Sequence, residues 1–347
     1  MKSLKYLGAY TLPLSAVIGV SAGGIWTFIT PLYAFAVIPI LELILPQPNS
    51  NLSEQDREEQ SISPIYDLML YVNLLLVYGL IYFVATALPN MQILSASWIG
   101  TAFSLGIVLG TNGINVGHEL GHRQHSWERH LGKLLLLPSM YMHFYIEHNF
   151  GHHINAATPE DPATAKQNQT VYHFWATSIF RQYINAWRIQ INLLKRGKAS
   201  FLSFKNDMLW YLFLQGLYGF GLVYFFGINT ALLLLLGGLI GVILLESVNY
   251  IEHYGLIRKK LPSGRYERVR EIHSWNSNHI VGRIVLYELT RHSDHHYKSS
   301  KKYQLLDFHE QSPEMPYGYP TSLVIALFPP LWFRIMNPRI PREMLPA

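Results

Sequence analysis

Sixteen histidines stand in a chain that has no cysteine, and nine of them fall into four short stretches. These are HELGH at 118–122, EHNFGHH at 147–153, NYIEHYG at 249–255 and LTRHSDHHYK at 289–298. Imidazole nitrogen binds Fe, Cu, Zn and Ni. His118 and His122 are four residues apart, as are His148 and His152, and His292 and His296; His153 and His295 sit beside them. Residues three or four apart share one helix face, so each stretch can aim two or three imidazoles at one point. His253 stands alone, with Asn249 four and Glu246 seven residues before it on the same helical face. Without cysteine there are no disulfides, thiolate zinc sites or iron–sulfur clusters. Any metal must therefore take nitrogen and oxygen donors. HELGH by itself also fits the zinc-protease pattern, in which Glu119 would be the general base. Such a zinc takes three protein ligands and a water. Nine clustered histidines exceed that and suit two five- or six-coordinate ions with positions left open. His125, His130, His143, His173 and His309 read as surface or hydrogen-bonded residues, and His273 and His279 as intermediate.

The elements that must carry these stretches are apolar. Half of the 347 residues are hydrophobic and 14% are charged, against roughly 25% charged in soluble proteins. A membrane helix needs about 20 apolar residues. Six segments qualify: 6–22, 24–45, 65–88, 92–115, 208–227 and 229–250. The chain reads as one all-α, polytopic membrane domain over 1–347, with helical cytoplasmic parts at 116–207 and 251–347. Connections near Pro89 and Asn90, and at 227–229, are short, as antiparallel helical hairpins require. Lys2 and Lys5 precede an apolar run that flows into the next span, so it reads as a retained first span rather than a cleaved signal. Of the 27 Lys and Arg, 10 fall in 116–207 and 14 after residue 250. The other three precede the first span or lie in the polar loop 46–64, so all sit on one side of a six-span topology. The positive-inside rule puts that side, both termini and the histidines in the cytoplasm, at the inner membrane. Segments 131–146 and 319–336 are short or broken by proline, and read as packed or interfacial. There is no phosphate-binding glycine loop and no nucleophile elbow. The basic residues flank spans, which suits anionic lipid rather than nucleic acid.

HELGH, EHNFGHH, NYIEHYGL and the run SWNSNHIVGRIVLYELTRHSDHH resemble the signature boxes of the integral-membrane alkane monooxygenases, the alkane omega-hydroxylases. TPEDPATA at 158–165 resembles the segment that follows the second box in that family. The outer boxes are shared with xylene monooxygenases, desaturases and membrane fatty-acid hydroxylases. The resemblance covers most of the chain from about Gly24, and the segment before the first span looks shorter than in some members. It implies a non-haem centre of two iron ions with nine ligands: His118, His122, His148, His152, His153, His253, His292, His295 and His296. It implies hydroxylation of the terminal methyl of a medium-chain n-alkane, with O2 and with electrons from rubredoxin and its reductase.

The residue types agree with that chemistry. An unactivated methyl offers nothing to a protein acid, base or nucleophile, so a redox metal and O2 must carry the reaction. Carboxylates and amides near the imidazoles would balance charge and fix tautomers. The candidates are Glu119, Glu147, Glu160, Asp161, Glu246, Asn249, Glu252, Asn278 and Asp294. Glu246 stands out because a carboxylate near the end of an apolar span is costly without a partner. Trp26, Trp98 and Phe103 are candidate walls of an apolar tunnel. The basic stretches 258–260, 265–270 and 298–302 would suit an acidic electron carrier or act as membrane anchors. Two other readings remain at this stage. One is a related hydroxylase, epoxidase or desaturase acting on a methyl-aromatic or fatty acyl group. The other is a metal-binding transporter or sensor, which would need polar residues along its spans.

Overall fold

The computed structural model describes residues 2–87 and 91–344. Among them the chain is helical, with two isolated bridges and no strand. The connection expected at residues 89–90 lies outside the described residues.

Residues 2–10 form a 3-10 segment and lead into α1, Thr11–Ala22. That segment packs inward rather than continuing the apolar helix, because Tyr6 is anchored. Its ring sits among Tyr66, Tyr287 and Tyr303, and its hydroxyl donates to Glu288 Oε1 at 2.8 Å. A reversal at Gly23 and Gly24, both with positive φ, starts α2, Gly24–Ile44. The polar loop carries α3, Glu54–Ile62, capped by the Ser53 hydroxyl, which accepts from the Asp56 amide. Then come α4, Pro64–Ala87, and α5, Ala96–Gly121. The next elements are α6, Ser126–Leu136, a short helical run α7 at 144–155, and α8, Val171–Arg196. The longest element is α9, Asp207–His253, which breaks into two helices at Gly227, where φ is 78°. After it come α10, Ile280–Val285, α11, His292–Tyr297, α12, Tyr319–Ala326, and α13, Pro329–Met336. The segment 319–336 is thus divided near Phe328, as its prolines require.

Four of these elements, α2, α4, α5 and α9, are long and apolar enough to cross a membrane. Their outer surfaces are apolar too: Leu43, Leu75 and Phe225 are each more than 70% exposed. A soluble protein does not leave such a belt to water, so this is a membrane protein. Helix α5 lies against α9 at close range. A Cβ on Gly106 would meet Ile240 at 2.5 Å, and one on Gly237 would meet Leu105 at 2.8 Å. Small residues at matching depth let the two backbones approach, as in other membrane helix pairs. At one end of this pair Trp98 Nε1 donates to Asn229 Oδ1, and Asn229 Nδ2 donates to the Met91 carbonyl. His118 and His253 project from the other ends of the same two helices. The close α5–α9 contact thereby fixes the depth of both.

Candidate metal centre

The nine box histidines come together as two groups. His118, His122, His148, His153 and His295 form one, and His152, His253, His292 and His296 the other; within each group the ligand nitrogens lie within 4.8 Å of one another. The first and fourth stretches behave as helical spacing predicts for their histidines four apart. His118 and His122 share the five-histidine group, and His292 and His296 share the four-histidine group. The second stretch does not. Sequence spacing pairs His148 with His152, whereas the structure pairs His148 with His153 and sends His152 to the other group. The reason is local: His148–His152 is a π-turn. Its i to i+5 hydrogen bonds stack residues five apart, and such turns recur at functional sites.

The rings face inward through Nε2. The Nε2 atoms of His118 and His295 are 3.0 Å apart, those of His152 and His296 3.1 Å, and those of His253 and His292 3.2 Å. His122, His148 and His153 form a triangle of Nε2 atoms with sides of 3.0–3.2 Å. Ligands at right angles on an ion with metal–nitrogen bonds of about 2.1 Å would be about 3.0 Å apart. The outward Nδ1 atoms of His292 and His296 have no protein partner. Imidazoles serving only as hydrogen-bonded packing would not converge their nitrogens and leave the outer ones unpaired. The residues present therefore fit metal ions, and an all-imidazole set suits Fe, Cu, Zn or Ni. Burial, then the neighbouring imidazoles, hold His122, His148, His153, His292 and His296 well below the usual histidine range. They are neutral, the state a metal requires.

The carboxylates and amides expected around the imidazoles divide by what they touch. Asp161 Oδ2 accepts from His152 Nδ1 at 2.9 Å, and is itself held by the Thr164 hydroxyl at 2.6 Å. Burial opposes protonation of His152, and the Asp161 carboxylate outweighs it, raising His152 above the usual range. Glu252 Oε2 lies 3.3 Å from His292 Nε2. Glu119 instead pairs with Arg123 and accepts from the Tyr303 amide, so the general-base role that HELGH suggested has no support. Glu147 accepts from Asn185 Nδ2, and burial pushes its carboxyl up to about 8. Glu160 is exposed. Asn278 donates to Glu314. Asp294 is occupied by Lys301 Nζ, His309 Nε2 and the Asp307 amide, and so braces α11 from behind.

Glu246, the acid in the apolar span, has its partners in protein. It accepts from Tyr141, Ser178, Gln182 and, at 3.4 Å, Asn249. His273 accepts from the Arg270 amide and His279 bonds Ser277, and neither belongs to the two groups. Sequence reasoning missed Tyr141, Ser178, Gln182 and Tyr319. It also missed Glu42, whose Oε1 accepts from the Gly282 amide. Their partners lie 64 to 240 residues away in sequence, which no local pattern signals.

A cavity of about 100 Å³ opens against both groups. Its walls are apolar, among them Phe35, Ile38, Ile107, Leu244, Val248 and Leu323, and its floor includes His118, His148 and His292. π-turns at Tyr33–Val37 and Leu109–Ile114 occur where α2 and α5 form the wall. The expected walls Trp26, Trp98 and Phe103 are not among its residues. Trp26 and Phe103 face outward, and Trp98 is buried at the far end of α5 on Asn229. The basic stretch 298–302 is only partly free, since Lys301 pairs with Asp294 and Asp307 and Lys302 with Asp67.

Comparison with known proteins agrees with this architecture. Residues 93–322 match the family model described as fatty acid desaturase. The chain is 34% identical to alkane 1-monooxygenase 2 of Alcanivorax borkumensis over 98% of this chain and 91% of that protein. It is 36% identical to alkane 1-monooxygenase 1 of Pseudomonas aeruginosa over 91% of this chain and 83% of that one. The xylene/toluene monooxygenase hydroxylase component of Pseudomonas putida is 28% identical over 97% and 88%. With two inward-facing groups of box histidines at the ends of apolar helices, and this identity over nearly its whole length, the chain belongs to the alkane 1-monooxygenase family of membrane oxidoreductases, within the wider fatty acid desaturase family.

Proposed function

We propose that this protein is a non-haem di-iron monooxygenase that converts the terminal methyl of medium-chain n-alkanes to a primary alcohol. The reaction takes up O2, two electrons and two protons per alkane, and releases water. The electrons come from rubredoxin, itself reduced by its reductase. The observation that carries the reading is the junction of two inward-facing imidazole groups with an apolar cavity. An alkane has no polar handle, so a dry, apolar channel ending on the metal site is the recognition it requires.

Each group of imidazoles would hold one iron, with the inward Nε2 atoms as donors. When bound, the iron pair supplies the reduction of O2 and the oxidation of the C–H bond. The chain's own residues do the rest. Asp161 keeps a proton on His152 Nδ1, which leaves Nε2 free to bind. Phe35, Ile38, Val248 and Leu323 line the channel, hold the alkyl chain and exclude water. The chain forms one membrane-embedded domain of six spans in the cytoplasmic membrane: residues 6–22 supply the first, α2, α4 and α5 the next three, and α9 two across Gly227. Both termini and the site face the cytoplasm. The absence of Lys and Arg from the far-side turns supports this orientation. Exposed Lys259, Lys260, Arg265 and Arg268 lie on the same side and suit an acidic carrier.

The test is turnover of octane by detergent-purified protein with added rubredoxin and reductase under isotopically labelled O2. Labelled 1-octanol is the expected product. Labelled methyl-aromatic alcohols from xylene with no octanol would move the substrate to the xylene-oxidising relatives. Octanol without label would refute the monooxygenase reading.

A further inference from the structure

We infer that Glu252 is a tenth ligand of the paired metal centre, binding through Oε2 the ion held by His152, His253, His292 and His296. This rests on the reading above that the two histidine groups each hold an ion.

Direction is the first argument. Among the described residues, two carboxylates form close pairs with the nine imidazoles, and they do so from opposite sides. Asp161 meets Nδ1 of His152, the outward nitrogen. Glu252 Oε2 lies 3.3 Å from Nε2 of His292, the inward nitrogen. That spacing nearly equals the 3.2 Å between the Nε2 atoms of His292 and His253. Oε2 thus stands on the inward side of His292, beside the nitrogen that faces the other imidazoles.

Charge is the second. Glu252 is 1% exposed, and its side chain has one hydrogen bond, from the Tyr319 hydroxyl to Oε1 at 2.7 Å. No Lys or Arg pairs with it among the described residues. Three other buried acids are provided for: Glu288 by Arg283 and Lys5, Glu119 by Arg123, Glu246 by four side chains. A buried carboxylate with one neutral donor is costly, and a cation facing Oε2 is the missing partner.

The donor count is the third argument. One group has five imidazoles and the other four; Glu252 makes them five and five. The ligand sets then differ in charge, five neutral donors against four and an anion. Because Glu252 also lines the cavity beside His292, its ion is the one that faces the substrate with the lower net charge.

The test uses protein loaded with isotopically enriched iron, read by Mössbauer spectroscopy and by iron retained per chain after dialysis against a chelator. Glu252→Gln keeps an acceptor for Tyr319 and the side-chain volume but loses the anionic oxygen. The expected result is that one of the two iron signals changes and that iron is lost roughly tenfold faster, while the other is untouched. Tyr319→Phe keeps the carboxylate and should retain both irons. Glu252→His, which restores a donor without the hydrogen bond, should recover retention. A Glu252→Gln protein whose spectrum and retention match the parent would overturn the inference while leaving the nine-histidine reading intact. A parent protein that cannot be loaded with two irons would overturn both.

Discussion

The two histidine groups touch, with His153 and His296 at 4.6 Å between ring centroids, yet they are built in different ways. The five-histidine group is mostly local: four of its members come from 118–153, on the end of α5 and the π-turn of α7. His122 and His153 are only half-buried. The four-histidine group draws His152, His253, His292 and His296 from three distant segments, and all four are buried. It also has the acids, with Asp161 behind one ring and Glu252 beside another. Its assembly relies on long-range ties. The Trp275 amide donates to the Glu252 carbonyl, and Asn276 holds Ser293 at the start of α11. The contrast suggests a division of labour. The partly open group is the nearer to solvent. The buried, acid-flanked group is set by tertiary packing.

The comparison can be broken most sharply at His253. His253→Ala should abolish alkane oxidation and remove one iron per chain, leaving the five-histidine ion in place. A variant with full activity would take α9 out of the centre. Next is Asp161→Asn, which leaves every ligand but removes the anion at His152 Nδ1. A loss of about 10–100-fold in metal affinity or activity is expected, confined to the ion of the four-histidine group, as iron retention would show. A narrower cavity should separate substrate from metal. Val248→Trp should keep both irons yet slow octane oxidation several-fold, by gas chromatography of 1-octanol; unchanged turnover would place the alkane elsewhere. The smallest effect belongs to the surface. Replacing Lys259, Lys260, Arg265 and Arg268 with Gln should raise the half-saturating rubredoxin concentration at low salt and leave kcat unchanged, because exposed charges are screened as salt rises. No shift would assign these residues to lipid. Lys301 and Lys302 do not suit that test, since they already pair with Asp294, Asp307 and Asp67.

Much of this centre was legible in the order of residues. Histidines four apart on a helix must share a face, so HELGH and HSDHH announced their own pairs. The apolar runs announced α2, α4, α5 and α9. The division of His148, His152 and His153 was not legible, because a π-turn differs from an α-turn by one hydrogen-bond register and nothing in EHNFGHH declares it. The 3-10 start of the chain was hidden for a similar reason, since it follows from Tyr6 meeting Glu288 and Tyr303 far along the sequence. The same distance concealed the partners of Glu246. The sequence marked it as an acid in need of partners, and Tyr141, Ser178 and Gln182 became visible as those partners once α8 and α9 were side by side. Aromatic type misled in the search for the channel. Trp26 and Phe103 face outward, where a bilayer rather than a substrate would meet them.

The most direct test of the central claim is iron counted per chain, by mass spectrometry on detergent-purified protein, in the parent, in His122→Ala and in His253→Ala. The account predicts two irons in the parent and about one in each variant, lost from different groups. One zinc in the parent, or two irons undisturbed by either substitution, would contradict it.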